Sequence, residues 1–205
     1  MYRLPLFPLP VVLFPEARLP LHVFEPRYRR MVARCLEYDR RFGLIYHDAD
    51  RAGPFLCEDG RVGCVAEIQS FQPLPDGRSL ILALGVGRFA LQDGIESGEP
   101  FYEAVVEPYE DRPDPDHAAL RAQRRRSLQL FESAVQIVGE GDGAAEEVVP
   151  AMDTGSELSF VLAATLRIQP EWKQAFLELR DERQRLERLD AIFEAAARGA
   201  RDPGA

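Results

Sequence analysis

The sequence predicts an α+β protein: a small β barrel carrying one helix, followed by a bundle of helices. Three observations lead there. Short apolar segments separated by turn residues fill the first half of the 205 residues. Beyond Asp111–Pro115 (DRPDP) the apolar residues recur at helical spacing instead. One segment of the first half, Pro26 to Leu36, already has that helical spacing. The expected division is a β part over 1–111 and a helical part over 112–205.

Tyr2–Phe7 and Leu19–Phe24 read as short strands bounded by prolines. Between them, Pro8 to Pro15 alternates proline with large apolar residues. Pro26 suits the first helical position, where its missing N–H costs nothing. Tyr28, Met31, Val32, Cys35 and Leu36 then share one helical face, with Arg27, Arg30 and Arg34 on the other. Phe42–His47 reads as a strand and Asp48–Gly60 as a polar loop. Val62–Leu74 alternates, except at Val65, and ends in a turn whose Asp76-Gly77 supplies a positive φ. Ser79–Gln92 returns. Gly85 and Gly87 inside it suggest a bulge or sharp bend where the sheet curls. Phe101–Tyr109 is the last strand, and short strands joined by turns predict closure or near-closure.

In the second half, Asp114-Pro115 is read as a helix start. Leu128, Phe131, Val135 and Val138 follow at helical spacing. Gly139–Gly143 (GEGDG) is read as a loop and Thr154-x-x-Glu157 as a capping box. Leu158, Val161, Leu162, Thr165 and Leu166 form the next apolar face. Pro170 opens a short helix to about Leu179. Asp181 caps a last helix bearing Leu186, Leu189, Ile192 and Phe193.

Composition limits the function. Net charge is −9, and the acidic excess is shared: 12 basic against 17 acidic residues over 1–111, 13 against 17 over 112–205. Neither half has the basic footprint that nucleic acid calls for. Cys35, Cys57 and Cys64 have no CxxC spacing, so they suggest free thiols in a reducing compartment. Pro5, Pro8, Pro10 and Pro15 interrupt the N-terminal apolar run against a signal peptide, and no run reaches the roughly 18–20 residues of a membrane span. A cytoplasmic protein is expected.

Chemistry-bearing motifs are missing. His22, His47 and His117 fall in no metal-ligand spacing. No GxSxG elbow or GxxxxGK[ST] loop occurs, and Gly85-Val86-Gly87 lies within a strand rather than at a strand-to-helix turn. No catalytic residue, metal or cofactor is expected. Binding remains. The loop Pro8–Glu16 holds Leu9, Val11, Val12, Leu13 and Phe14, and such a segment suggests an exposed apolar contact patch.

Several motifs appear in a familiar order: Leu4–Leu9 (LPLFPL), Leu19–Phe24 (LPLHVF), Val62–Ile68 (VGCVAEI), Leu74–Gly77 (LPDG) and Gly85–Arg88 (GVGR). With Pro170 and the stretch Asp181 to Leu189, the chain resembles the N-terminal, substrate-binding domain of the Lon proteases, and His22–Val32 resembles stand-alone members. The resemblance implies a PUA-like pseudo-barrel followed by a helical bundle, and recognition of polypeptide substrates or partner proteins. The family's ATPase and Ser-Lys peptidase regions have no counterpart up to Ala205, so a stand-alone, non-catalytic protein is expected. A separate ATP-dependent protease is a candidate partner, and any self-association is expected to be weak. The expected binding surface is the loop with Phe24, Glu25, Arg27, Tyr28 and Arg88. The alternatives are a PUA-like RNA binder, using Arg124–Arg126 or Arg27, Arg30 and Arg34, and a small-molecule module with a polar pocket.

Overall fold

The computed structural model describes residues 1–139 and 158–201. The chain forms two compact units. One is Met1–Glu110 with Ile168–Glu178; the other is Asp111–Arg167 with Leu179–Ala205, so far as described. The first boundary falls next to the one expected at residue 111. The segment around Pro170 differs: read as part of the helical half, it packs with the barrel.

In the first unit, six strands and two helices precede residue 111: β1 Tyr2–Leu9, β2 Arg18–Val23, α1 Pro26–Glu37, β3 Arg41–Tyr46, α2 Ala49–Ala52, β4 Val62–Pro73, β5 Ser79–Ile95 and β6 Tyr102–Pro108. The sheet order is β2-β5-β4-β3-β1-β6, and β5 also pairs with β6, which closes a barrel. All pairs are antiparallel except β1–β3, which are parallel and joined through β2 and α1. The loop read over Asp48–Gly60 contains α2, a single turn that Asp48 caps by accepting from the Asp50 N–H at 3.2 Å.

β5 makes closure possible by changing partners. Its first part, Ser79 to Leu84, pairs with β2, and its last part, Phe89 to Ile95, with β6. Between them Val65 pairs with Gly87 but Ala66 with Gly85, so Val86 is the extra residue of a bulge. The two glycines flank the bend as expected, and Gly85 has a second role. A Cβ there would lie 2.2 Å from the Phe14 carbonyl oxygen. Gly85 N–H donates to Ala17 O at 2.9 Å, and Glu16 N–H donates to Gly85 O at 2.8 Å. The proline-rich loop is thus stitched onto β5.

Two apolar clusters explain why the strands read as nearly continuous apolar runs. Leu4, Leu6, Ile45, Val65, Phe89, Leu91, Ala104 and Val106 fill the barrel interior. Phe7, Phe42, Leu44, Cys64, Ala66, Ile68 and Ile81 lie on the opposite face and pack against Tyr28, Met31, Val32 and Cys35 of α1. Strands buried on both sides lose polar alternation, which is why Val65 breaks the pattern.

Helix α5, Pro170–Leu177, belongs to this unit. Its Phe176 meets Phe14 edge-on at 5.7 Å and stacks on Trp172 at 4.9 Å. Gln174 Nε2 donates to Val62 O at 3.0 Å.

The second unit contains α3 His117–Gly139, α4 Leu158–Ala164 and α6 Glu182–Arg201. α3 starts later than the sequence suggests. Asp116, not Asp114, caps it, accepting from Ala119 N–H at 2.9 Å. Asp114 instead pairs with Arg183 at 2.7 Å. Asp181 caps α6, accepting from Gln184 N–H at 3.2 Å. Leu120, Phe131 and Ala134 of α3, with Leu186, Leu189 and Phe193 of α6, are buried. Arg185 is fully buried, paired with Asp111, bonded to Ser159 Oγ and Leu179 O at 2.8 Å each, and 4.2 Å above the Phe160 ring. The expected GEGDG loop, apart from Gly139 at the end of α3, and the capping box before Leu158 lie outside the described residues.

Candidate functional site

The structure separates the residues expected to bind. Leu13 and Phe14 are core, at 2% and 1% exposure, and Leu9, Val11 and Val12 are partly buried. The loop is thus divided between core residues and partly exposed ones. Bare Gly85 lets its backbone dock on β5, turning Leu13 and Phe14 inward. Arg88 is also structural. Its Nη1 donates to Leu177 O at 2.7 Å, and its guanidinium lies 5.0 Å from the Tyr109 ring centre. Phe24 remains accessible at 58% exposure, with His22 at 5.7 Å between ring centres. Leu80, opposite His22 in the β2–β5 register, is 42% exposed on the same outer face.

Immediately after Phe24 the chain enters a groove of about 460 Å³, within the range of ligand sites. One side is the end of β1, with Pro8, Leu9 and Pro10. The second is the first turn of α1, with Glu25, Arg27 and Tyr28. The third is the α2 segment, with His47, Asp48, Asp50, Pro54 and Phe55. Tyr102 of β6 lies at the base. β1 brings these together, pairing with β3 on one edge and β6 on the other. Leu9, Glu25, Arg27 and Tyr28 thus share one site. His47, Asp48, Asp50, Phe55 and Tyr102 were not singled out by sequence, since only strand pairing brings them near α1.

The groove is braced on all sides. His47 N–H donates to Leu9 O at 2.8 Å, and His47 Nε2 lies 2.8 Å from Gly53 O. Phe55 packs edge-on against His47 at 5.4 Å and Tyr102 at 4.9 Å. Arg27 Nε donates to Glu25 Oε2 at 2.9 Å, and its guanidinium lies 4.5 Å from the Tyr28 ring centre and 6.0 Å from that of Tyr102. Tyr28 stacks on Phe7 at 4.0 Å, and burial pushes its phenol up to about 12. It therefore stays neutral near pH 7. Arg27 is largely spent on Glu25, so Asp48 and Asp50 leave the groove acidic. Apolar walls with an acidic rim suit a chain segment with an apolar side chain beside a basic one.

Arginines expected on open helix surface are engaged. Arg30 binds Glu99 at 2.8 Å. Arg34 reaches Glu103 at 2.9 Å and Arg3 lies 3.9 Å from it. Glu103 is 2% exposed. Arg34 and Glu103 form an ion pair. Burial pushes the Glu103 carboxyl up, but the Ser97 hydroxyl and the Arg34 and Arg3 guanidiniums push it down further, and the net shift is downward. In the helical unit Arg124 pairs with Glu182 and Arg126 with Asp190 and Glu194. Among the described residues, no group of three or more His, Cys, Asp or Glu is placed to hold a metal, and no helix is long and apolar enough to cross a membrane. Cys35, Cys57 and Cys64 are free thiols.

This barrel with its attached helices is the architecture of isolated Lon N-terminal domains. The chain is similar to the crystal structure of a Lon N-terminal domain protein from Xanthomonas campestris, at 26% identity and TM-score 0.59, covering 93% of this chain and 98% of that one. It shares its fold with the N-terminal domain of the Mycobacterium avium complex Lon protease, at TM-score 0.68 and 14% identity, covering 94% and 98%. Residues 3–192 match the family described as the ATP-dependent protease La (LON) substrate-binding domain, and the chain belongs to that family. Among full-length relatives it is 26% identical over 195 residues to Lon protease of Escherichia coli K12, covering 94% of this chain and 25% of that protein. It is 29% identical over 199 residues to Lon protease 2 of Herpetosiphon aurantiacus, covering 93% and 23%. The chain thus spans about a quarter of the length of these relatives.

Proposed function

We propose that this protein is a non-catalytic polypeptide binder that holds substrate segments in the groove at the first turn of α1. Phe24 is the apolar lead-in to the site. Membership of a substrate-binding domain family supports polypeptide as the ligand. The carrying observation is a half-exposed Phe24 directly before a braced, acidic-rimmed groove. Rigid walls lose little entropy when a chain docks, so modest apolar contact suffices for useful affinity. Free cysteines fit work in the cytoplasm. The role is in protein quality control, passing bound chains to a separate ATP-dependent protease.

Titration of a fluorescently labelled, permanently unfolded polypeptide tests this. Phe24→Ser and Asp50→Lys each should weaken binding by about fivefold to twentyfold, roughly 1–2 kcal/mol, with thermal unfolding unchanged. Equal affinity in wild type and both variants would remove the groove as the site.

A further inference from the structure

A second opening lies on the opposite flank of α1, between that helix and the β4–β5 hairpin. Its volume is about 520 Å³. Here the core comes to the surface. Phe71 is directly opposite buried Ile81 in the β4–β5 register, so it continues the core face, yet it is 41% exposed. Leu36 and Ala33 of α1 complete the floor. The rim is basic: Arg29, Arg30 and Arg78 line it, and none of the lining residues is acidic.

The three arginines are not equivalent. Arg30 is bound to Glu99 at 2.8 Å and Arg78 to Asp76 at 2.5 Å. Arg29 has no carboxylate partner among the described residues. Its Nη2 lies 2.2 Å, and its Cζ 3.0 Å, from where a Cβ on Gly77 would stand, so the guanidinium lies against the bare backbone of the hairpin turn. Gly77 serves twice, supplying φ +78 for the turn and room for Arg29. An exposed guanidinium on the same groove as an exposed aromatic ring suits a contact surface, where Arg takes carboxylates through its planar fork.

We propose that this second groove docks a polypeptide segment carrying a carboxylate next to a large apolar side chain. The apolar side chain lies on Phe71 and Leu36, and the carboxylate meets Arg29. Arg30 and Arg78 stay bound to Glu99 and Asp76, so Arg29 carries the charge selection. The two flanks of α1 then select opposite charge, since the groove at its first turn is acid-rimmed and this one basic. A floor with one aromatic ring and several aliphatic groups suits protein side chains better than a run of stacked bases. The proposal shares with the reading above only that the ligand is polypeptide; the surface is separate.

Fluorescence polarisation with three short labelled peptides tests it. One has phenylalanine and leucine flanked by glutamates, the second replaces the glutamates by glutamine, and the third by lysine. A single-stranded oligonucleotide forms a fourth arm. Arg29 and Phe71 are exposed, so Arg29→Glu and Phe71→Ser should keep the wild-type melting temperature. The expected result is preference for the glutamate peptide by about tenfold, lost in both variants and in high salt. Phe24→Ser should leave it intact, which separates this groove from the first. Equal binding of the glutamate and glutamine peptides, binding unchanged in Arg29→Glu, or tighter Arg29-dependent binding of the oligonucleotide would overturn it.

Discussion

At the residue scale, Gly85 and Glu103 carry the sharpest expectations. A side chain at Gly85 would strike the Phe14 carbonyl, which is backbone and has nowhere to go, whereas the Cβ position at Gly87 is open. Gly85→Val should destabilise by about 1–3 kcal/mol through overpacking. Gly87→Ala should change stability by less than about 0.5 kcal/mol. Chemical denaturation of both variants checks the contrast. Glu103 has a depressed carboxyl pKa, so its contribution to stability is complete above the ordinary glutamate value of 4.5 and is lost as pH falls through the lower folded-state value. Glu103→Gln should cost about 1–2 kcal/mol at pH 7, below the usual cost of splitting a buried pair because Arg34 keeps access to water. It should also flatten the acid limb of the stability profile, as read by urea melts between pH 3 and 7. The glycine pair is legible in the sequence as a bend. Which glycine is indispensable is not, because the atom that forbids a side chain arrives from a distant loop.

At the scale of elements, the loop after β1 shows how an apolar, proline-rich segment divides between core and surface. Prolines withhold donors, so the segment does not join the sheet as a regular strand, and its apolar content then suggests exposure. It is nonetheless packed, because β5 bends at Val86 and presents Gly85 to it. Phe14 in turn seats Phe176 of α5, which explains why a helix distant in sequence belongs with the barrel. Phe14→Ala should therefore cost about 3–5 kcal/mol and raise amide exchange selectively across Pro170–Leu177, measured by hydrogen–deuterium exchange. Helix α1, by contrast, is readable from sequence alone. Its proline start and its buried Tyr28, Met31, Val32 and Cys35 match the apolar spacing. Its grooves are not readable, since strand pairing supplies the residues facing it.

At the scale of the whole molecule, the barrel and the helical unit each have a core, and neither carries a nucleotide loop or metal cluster among the described residues. The purified chain should hydrolyse neither ATP nor casein, as checked by phosphate release and a fluorescent casein assay. Family membership was legible because short motifs recur in order along the chain. Of the residues expected to bind, Leu9, Glu25, Arg27 and Tyr28 line one groove, whereas Leu13 and Phe14 are buried and Arg88 bonds to Leu177 O, because strand pairing and loop docking, not local sequence, decide who meets whom. The central claim is that polypeptide docks at the first turn of α1. The most direct test is hydrogen–deuterium exchange of the protein with and without a permanently unfolded polypeptide. The account predicts protection at the end of β1, at Phe24–Tyr28 and across His47–Phe55. Protection confined to α3 and α6, or none at saturating polypeptide, would contradict it.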